Sequence, residues 1–121
     1  MKNECSLEAK LEIEGAVREF PSEVSTHLFR IVQESLSNIR RHAEATQVTV
    51  KLNFHPDTFN LMIQDNGKGF AISKIENPRD RLGLTGIQER ARLIGGLLKI
   101  ESEPSMGVTI SIKINDRVPS T

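Results

Sequence analysis

Two alternating runs joined by a short turn decide the fold: residues 48–65 have the sequence VTVKLNFHPDTFNLMIQD. In each run every second residue is apolar, a period of two that is typical of a strand with one buried face. The segment His55-Pro56-Asp57 between the runs has the composition of a turn. The stretch therefore predicts a β-hairpin, with these side chains on its inner face: Val48, Val50, Leu52, Phe54, Phe59, Leu61 and Ile63.

A strand and a helix are predicted before this hairpin. Residues 7–14 alternate in the same way, so they predict a strand with one solvated face. From Ser22 to about Arg41 nothing interrupts a helix, and the apolar residues recur at helical spacing. Ser22 is a residue type favoured at the N-cap, which places the expected helix start there.

A second helix and two strands are predicted after it. Residues 67–82 carry glycines, a proline and many charges, and they predict a long, mobile loop. Thr85-x-x-Gln88 has the form of a capping box and predicts a helix start, and Gly95 predicts its end. Residues 97–103 and 108–114 have the features of two strands.

The order of elements indicates the fold class. It is β-α-β-β-loop-α-β-β, without an internal repeat or linker, so we expect one domain over residues 1–121 with an ordered core of about 7–114. Adjacent strands with long helices predict an α/β (α+β) two-layer sandwich. Its mixed, mostly antiparallel sheet is covered on one face by helices.

Composition excludes several classes of function. Sixteen basic residues balance sixteen acidic ones, so there is no electrostatic footprint for nucleic acid and no polybasic stretch for a membrane surface. Cys5 is the only cysteine, which excludes a disulfide framework and fits a cytoplasmic setting. No run of about 18 apolar residues exists, so no membrane contact by this domain is expected.

Asp65 is the most informative polar residue. It continues the inward phase of Phe59 to Ile63, and an unpaired carboxylate there costs several kcal/mol. One interpretation pairs it with a backbone amide of the following turn. The other places it at the mouth of a pocket, where it accepts a hydrogen bond from a ligand amine such as that of adenine. Gly67 and Gly69 favour the second, because glycines let the backbone approach a flat ligand.

Two further groups of residues have chemical potential. The segment Gly83-Leu84-Thr85-Gly86 is expected to open a helix, and helix N-termini bind phosphate. Glu34 and Asn38 are spaced i, i+4 at the edge of the apolar stripe of the first helix. Such a pair either reaches solvent without further role or offers hard oxygen ligands to Mg²⁺. His42 either caps this helix or touches a phosphate.

Together these motifs resemble the ATP-binding catalytic domain of bacterial sensor histidine kinases in the GHKL superfamily. Residues 29–43, FRIVQESLSNIRRHA, are similar to its N box, residues 65–70, DNGKGF, to its G1 box, and residues 83–91, GLTGIQERA, to its G2 box. The compact G2 form is most similar to the subfamily paired with LuxR/NarL-type response regulators. The resemblance runs from about residue 7 to residue 114.

The resemblance implies a Bergerat-type ATP site with ATP and Mg²⁺ as cofactors. Asn38 would bind Mg²⁺ on the ATP phosphates, Glu34 would act through water, and Asp65 would accept the adenine amino proton. Residues 70–82 would form the ATP lid. The remaining implied nucleotide contacts are Arg41, His42, Gly67, Gly69, Phe70, Gly83, Leu84, Thr85, Gly86 and Thr109.

The chain departs from the family pattern at its last strand. The family usually has Gly-Thr there, with the hydroxyl near the adenine-binding aspartate, whereas this chain has Gly107-Val108. Val108 occupies the inward phase and Thr109 is expected to point the other way, so we expect weaker nucleotide affinity.

The resemblance also implies partners. The phosphate-accepting histidine would lie on a dimerisation domain of the parent kinase, since His27, His42 and His55 are not credible acceptors. A response regulator would be an indirect partner. The domain is expected to be cytoplasmic, whether or not its parent protein is membrane-anchored, and in isolation it is expected to be a monomer with little turnover. The alternatives are an anti-sigma-type serine kinase and a degenerate nucleotide-binding or interaction module.

Overall fold

The computed structural model describes residues 8–17, 19–40, 44–67, 78–102 and 105–115, and of residues 78–84 the backbone alone. The elements follow the predicted order. They are β1 (Glu8–Gly15), α1 (Ser22–Asn38), β2 (Gln47–Phe54), β3 (Thr58–Asp65), α2 (Pro78–Leu93), β4 (Gly96–Ser102) and β5 (Val108–Asn115). Among the helices of these residues, none has both the length and the apolar character needed to cross a bilayer.

The five strands form one mixed sheet in the order β1-β2-β3-β5-β4. Only β1 and β2 run parallel, and the pairs β2–β3, β3–β5 and β4–β5 are antiparallel. The hairpin predicted from residues 48–65 is confirmed, with the N–H of His55 donating to the carbonyl of Thr58 at 2.8 Å. The predicted fold class, a mostly antiparallel sheet with helices on one face, is therefore confirmed.

The core lies between the two helices and the inner face of the sheet. Side chains of α1 and α2 pack on alternate residues of β2, β3 and β5, as the period-two pattern predicts. Among the described residues, the largest fully buried side chains are Ile31, Ser35, Val48, Leu61, Ile63, Ile87 and Ile112.

The start of α1 differs by one residue from the prediction. Pro21 is the N-cap, and no side chain caps the helix, so Ser22 is the first helical residue and not the cap. The Pro21 carbonyl accepts the first helical hydrogen bond from the N–H of Ser25 at 3.0 Å. The predicted C-terminus at about Arg41 lies outside the described residues, and the regular α-helix ends at Asn38.

The predicted start of α2 is wrong, because the helix begins at Pro78 and not at Thr85. Proline suits the first helical position, where its missing N–H has no intrahelical partner. Gly83 and Gly86 therefore lie inside the helix, where each costs about 1 kcal/mol relative to alanine. Burial of Ile87 and Ala91, at 0% and 1% exposure, offsets this cost.

The prediction that one face of β1 is buried is also wrong. Leu11 and Ile13 are 61% and 50% exposed. They point to the helix side of the sheet, opposite Val50 and Leu52 in register. Since β1 is an edge strand that neither helix covers, its period-two pattern indicates a strand without ensuring burial.

Candidate functional site

Asp65, the last residue of β3, is buried in the position that its inward phase predicts. It lies opposite Val48 and is only 4% exposed. The N–H of Gly67 donates to its Oδ1 at 2.7 Å. Its Oδ2 is buried and accepts no hydrogen bond from the described residues. The two interpretations of Asp65 are thus compatible, because one oxygen takes the turn amide and the other is left for a further donor.

The surroundings of Asp65 change its acidity. Burial raises the pKa of its carboxyl above the ordinary aspartate value, because the charged form is desolvated. The backbone N–H groups of Gly67 and Val108 act in the opposite direction and lower this pKa. The effect of burial is the larger one, so the pKa of Asp65 is raised. The ionised carboxylate is therefore destabilised, and an additional hydrogen-bond donor would stabilise it.

Asn66 fixes the turn that follows Asp65. Its Oδ1 accepts from the N–H groups of Thr46 and Gln47, each at 2.9 Å, and its Nδ2 donates to the Thr46 hydroxyl at 3.0 Å. These bonds tie the end of β3 to the residues that begin β2. The Asn-Gly pair predicts a turn directly after the strand, but not that the Asn66 side chain would tie this turn to β2.

Gly107 brings β5 against the backbone of Asp65. Its φ is +76°, and a Cβ at this position would collide with the Asp65 carbonyl, so only glycine fits. Val108 is the next residue and begins β5 on its inward-facing side. The residues that continue this side are buried: Ile110, Ile112 and Ile114. The side chain that β5 places on the inward phase next to Asp65 is therefore aliphatic.

Thr109 is not brought together with Asp65. It lies in register with Gln64 of β3 and Glu101 of β4, on the face of the sheet opposite the helices. Since alternate residues of a strand point to opposite faces, its hydroxyl is directed away from the buried carboxylate. The predicted contact between Thr109 and nucleotide therefore has no support in this arrangement.

Glu34 connects the two helices. Arg90 of α2 places its Nε 3.4 Å from Glu34 Oε2 and its Nη1 3.4 Å from His27 Nδ1. Glu34 Oε1 is buried and has no hydrogen-bond partner among the described residues. The contacts of Arg90 were not predicted from the sequence, because a basic residue on an amphipathic helix does not by itself indicate which helix it faces.

Gly86 leaves room for the Glu34 carboxylate. A Cβ added at this glycine would lie 3.0 Å from Glu34 Oε1. The backbone of Gly83 to Gly86 lies inside α2, so its N–H groups are not those of a helix N-terminus as the sequence analysis expected. The N box and the G2 segment are thus adjacent, although not through the predicted geometry.

Some of the remaining predicted site residues lie on the two helices, and others lie outside the part of the chain that the structure describes. Asn38 is the half-buried last residue of α1, one turn beyond Glu34. Thr85 is exposed on α2. Of the remaining predictions, Arg41, His42, Gly69, Phe70 and the first part of the lid, 70–77, lie outside the described residues. The side chains of residues 78–84, which include Leu84, also lie outside the described part of the chain. The backbone of 78–82 is helical, so the loop predicted over residues 67–82 is wrong for these positions.

The site combines two buried carboxylate oxygens that lack a hydrogen-bond partner among the described residues, one on Asp65 and one on Glu34. An unsatisfied buried acceptor costs about 1–3 kcal/mol, so a folded protein seldom retains one without a ligand or water. The oxygen of Asp65 suits a ligand N–H. Glu34 and Asn38 lie one turn apart on α1, with Gly86 of α2 beside the Glu34 carboxylate, and their oxygens are of the kind that hard cations prefer.

Comparison with known proteins identifies the family. Residues 23–118 match the profile HATPase_c, described as histidine kinase-, DNA gyrase B- and HSP90-like ATPase. The chain belongs to this family and is an ATP-binding catalytic domain of the histidine-kinase type.

Its curated relatives include a histidine-protein kinase/phosphatase and a sensor protein. The chain is 42% identical over 100 residues to the signal transduction histidine-protein kinase/phosphatase DegS of Brevibacillus brevis, covering 83% of this chain and 25% of DegS. It is 44% identical over 95 residues to the sensor protein VraS of Staphylococcus epidermidis, covering 78% of this chain and 27% of VraS. The chain thus spans about a quarter of the length of these relatives.

A solved structure shares the fold. The histidine kinase AdeS of Acinetobacter baumannii superimposes with a TM-score of 0.75 at 17% identity, over 94% of this chain and 56% of that one. At this identity the likeness concerns the fold, and it agrees with the five-stranded sheet and two helices described above.

Proposed function

We propose that this domain binds ATP with its adenine at Asp65 and its phosphates near Asn38 and Glu34, and donates the γ-phosphoryl group to a histidine on another domain. The observation that carries the proposal is that Asp65 Oδ2 is buried and has no hydrogen-bond partner among the described residues, whereas Oδ1 accepts from the N–H of Gly67. Such an oxygen is an acceptor for the exocyclic amine of adenine. Gly67 and Gly69 would flank the base.

Mg²⁺ fits the other end of the nucleotide. This ion prefers hard oxygen ligands and commonly takes one or two from the protein and the rest from phosphates and water. The Asn38 side-chain oxygen would supply one ligand, and Glu34 would orient water from its buried Oε1. When bound, the ion neutralises charge that develops on the phosphoryl oxygens during transfer. Arg41, His42 and the G2 residues Gly83, Leu84, Thr85 and Gly86 would contact the phosphates, and residues 70–82 would close over them.

The phosphoryl acceptor would come from the parent protein. Since the chain spans about a quarter of its relatives, we propose that a histidine-bearing dimerisation domain lies elsewhere in the parent, with a response regulator as the next acceptor. The domain would work in the cytoplasm, without nucleic acid or membrane contact, even where the parent is membrane-anchored. In isolation we expect a monomer that binds nucleotide with little turnover.

Asp65→Asn tests the adenine assignment. The substitution retains size but replaces the acceptor oxygen pair by an amide, so ADP affinity measured by titration calorimetry should fall by about 10- to 100-fold, the value of a charge-assisted hydrogen bond. Affinity for inorganic tripolyphosphate with Mg²⁺ should change little. Asp57→Asn, at an exposed residue of the β2–β3 turn, is the matched control and should bind both ligands like the wild type.

A second substitution separates the two halves of the site. Asn38→Ala should remove most of the gain in ADP affinity that Mg²⁺ provides, while leaving metal-free ADP binding nearly unchanged. Equal losses of ADP and tripolyphosphate in Asp65→Asn would refute the adenine assignment. An unchanged Mg²⁺ dependence in Asn38→Ala would refute the metal assignment alone.

A further inference from the structure

Ser35 carries a buried hydroxyl that has no use in the packing of α1. It lies between Ile31 and Ile39 on the stripe that faces the sheet, and its side chain is 0% exposed. Its Oγ makes no hydrogen bond with the described residues, not even back to the carbonyl one turn earlier. Ser35 and Asp65 are the two buried polar residues among those described, and each has an unpartnered oxygen.

The two residues lie at the same end of the helix–sheet interface. Phe20, just before α1, contacts Phe59 near the start of β3 with ring centroids 5.0 Å apart. Further along, Val32 and Leu61 line one groove, so α1 runs in the same direction as β3. From the ring contact, Ser35 is about 22 Å along the chain at helical rise and Asp65 about 20 Å along at strand rise. Helix and strand therefore bring the hydroxyl and the carboxylate to the same level.

The two oxygens do not satisfy each other. Neither has a hydrogen-bond partner among the described residues, so the Ser35 hydroxyl is not hydrogen-bonded to Asp65 Oδ2. Val108, whose strand also borders Asp65, offers an aliphatic side chain and no hydroxyl. The hydroxyl that the related kinases supply from the last strand is thus available here from the helix instead.

We propose that Ser35 is a base-recognition residue: its hydroxyl and Asp65 Oδ2 share a bound water that hydrogen-bonds a ring nitrogen of adenine. A serine hydroxyl both donates and accepts, so it can bond the water while the carboxylate accepts the exocyclic amine. This inference rests on the proposed function of the site. In this proposal the Ser35 hydroxyl on α1 replaces the hydroxyl that Val108 lacks on β5.

The proposal is distinguished from a packing role by adenine-nucleotide affinity, since both roles leave the apo protein at least as stable as before. If Ser35 were only a small residue that lets α1 approach the sheet, Ser35→Ala would keep nucleotide affinity and the removal of an unpaired hydroxyl would leave folding unchanged or improved. If Ser35 reads the base, the same substitution weakens adenine nucleotides while the apo protein is as stable as before or more stable.

The test is Ser35→Ala beside Ser37→Ala, a matched change at an exposed residue of the same helix. ADP affinity measured by calorimetry should fall by about 3- to 10-fold in Ser35→Ala, the size of one hydrogen bond, and not in Ser37→Ala. Tripolyphosphate affinity should stay unchanged in both. The thermal midpoint of apo Ser35→Ala should equal or exceed that of the wild type.

A double-mutant cycle with Asp65→Asn tests the shared water. The loss from Ser35→Ala should shrink in the Asp65→Asn background, because the water has then lost its second anchor. Unchanged ADP affinity in Ser35→Ala, or an equal loss of tripolyphosphate, would overturn the inference while the wild-type titration still supports ATP binding. Failure of the wild type to bind ADP would refute the proposed function itself.

Discussion

The two ends of the helix–sheet interface differ in polarity: one is packed with aromatic rings and the other contains buried polar side chains. At one end, the phenylalanine end, the rings of Phe20, Phe54 and Phe59 contact each other with centroids between 4.9 and 6.1 Å apart. At the other, the aspartate end, Ser35 and Asp65 are buried, and each has an oxygen without a hydrogen-bond partner in the part of the chain that the structure describes. The same two elements, α1 and β3, span both ends.

The difference shows where the fold stabilises itself and where it is prepared for a ligand. Aromatic contacts add about 0.5–1.5 kcal/mol beyond their buried area, so the phenylalanine end contributes to folding. Buried oxygens without partners detract from it. If this division holds, substitutions at one end change stability with little effect on binding, and those at the other do the reverse.

Phe59→Ala should have the largest effect on stability. The ring is 2% exposed and packs on two others, so its removal should lower the free energy of unfolding by about 3–5 kcal/mol. Urea unfolding followed by circular dichroism measures this. Phe29→Ala, which truncates a ring that is 60% exposed, is the control and should change stability by about 0.5 kcal/mol or less.

The fraction of Phe59→Ala that remains folded should bind ADP like the wild type. Titration below the unfolding transition checks this, with the folded fraction taken from the urea curve. A loss of intrinsic ADP affinity as large as that of Asp65→Asn would show that the two ends are coupled and that the division is wrong.

The pH dependence of ADP binding should be the next largest effect. Adenine needs the ionised Asp65 as acceptor, and burial raises the pKa of this carboxyl. As the pH falls through this raised pKa, ADP affinity should therefore decline by about 10- to 100-fold, beginning above the pH range in which an ordinary aspartate titrates. Calorimetric titrations over a pH series measure the decline, and Asp65→Asn should flatten it.

The Asp65 carboxyl affects the stability of the fold in the opposite direction from ADP binding as the pH changes. Because the pKa of Asp65 is higher in the folded than in the unfolded chain, its contribution to stability is present at low pH and is lost as the pH rises through the folded pKa. The difference in unfolding free energy between wild type and Asp65→Asn, plotted against pH, isolates this contribution from the other carboxyls. A wild type that loses stability relative to the variant on acidification would contradict the raised pKa.

The sequence predicted the parts of the site that follow from a period of two. Alternation from Phe59 to Ile63 fixes the inward phase of Asp65, and the same logic places Val108 inward and Thr109 outward. A strand in a sheet has only two faces, so one buried residue determines the rest. The sequence therefore predicts which face of the sheet a side chain points to, and also its burial where a helix covers that strand.

Features that depend on packing between distant elements could not be predicted in this way. Leu11 follows the pattern of an inner face, but its burial depends on whether a helix reaches the edge strand. The start of α2 at Pro78 depends on contacts that offset two internal glycines. The contact of Arg90 with Glu34 joins residues 56 positions apart, and the orphaned hydroxyl of Ser35 is visible only once its surroundings are known to be apolar.

Gly86→Ala should have the smallest effect, and it tests whether the G2 segment belongs to the aspartate end. Alanine is favoured over glycine inside a helix by about 1 kcal/mol, so stability should be unchanged or slightly higher. The new Cβ would lie 3.0 Å from Glu34 Oε1 and displace that carboxylate by a few tenths of an ångström. Since Glu34 orients water near the metal in the proposed site, the Mg²⁺-dependent part of ADP affinity should fall by about two- to threefold, well below the cost of a 1 Å misplacement. Gln88→Ala, an exposed change on the same helix, should leave binding as it is, and a Gly86→Ala variant that behaves identically would place the G2 glycine outside the site.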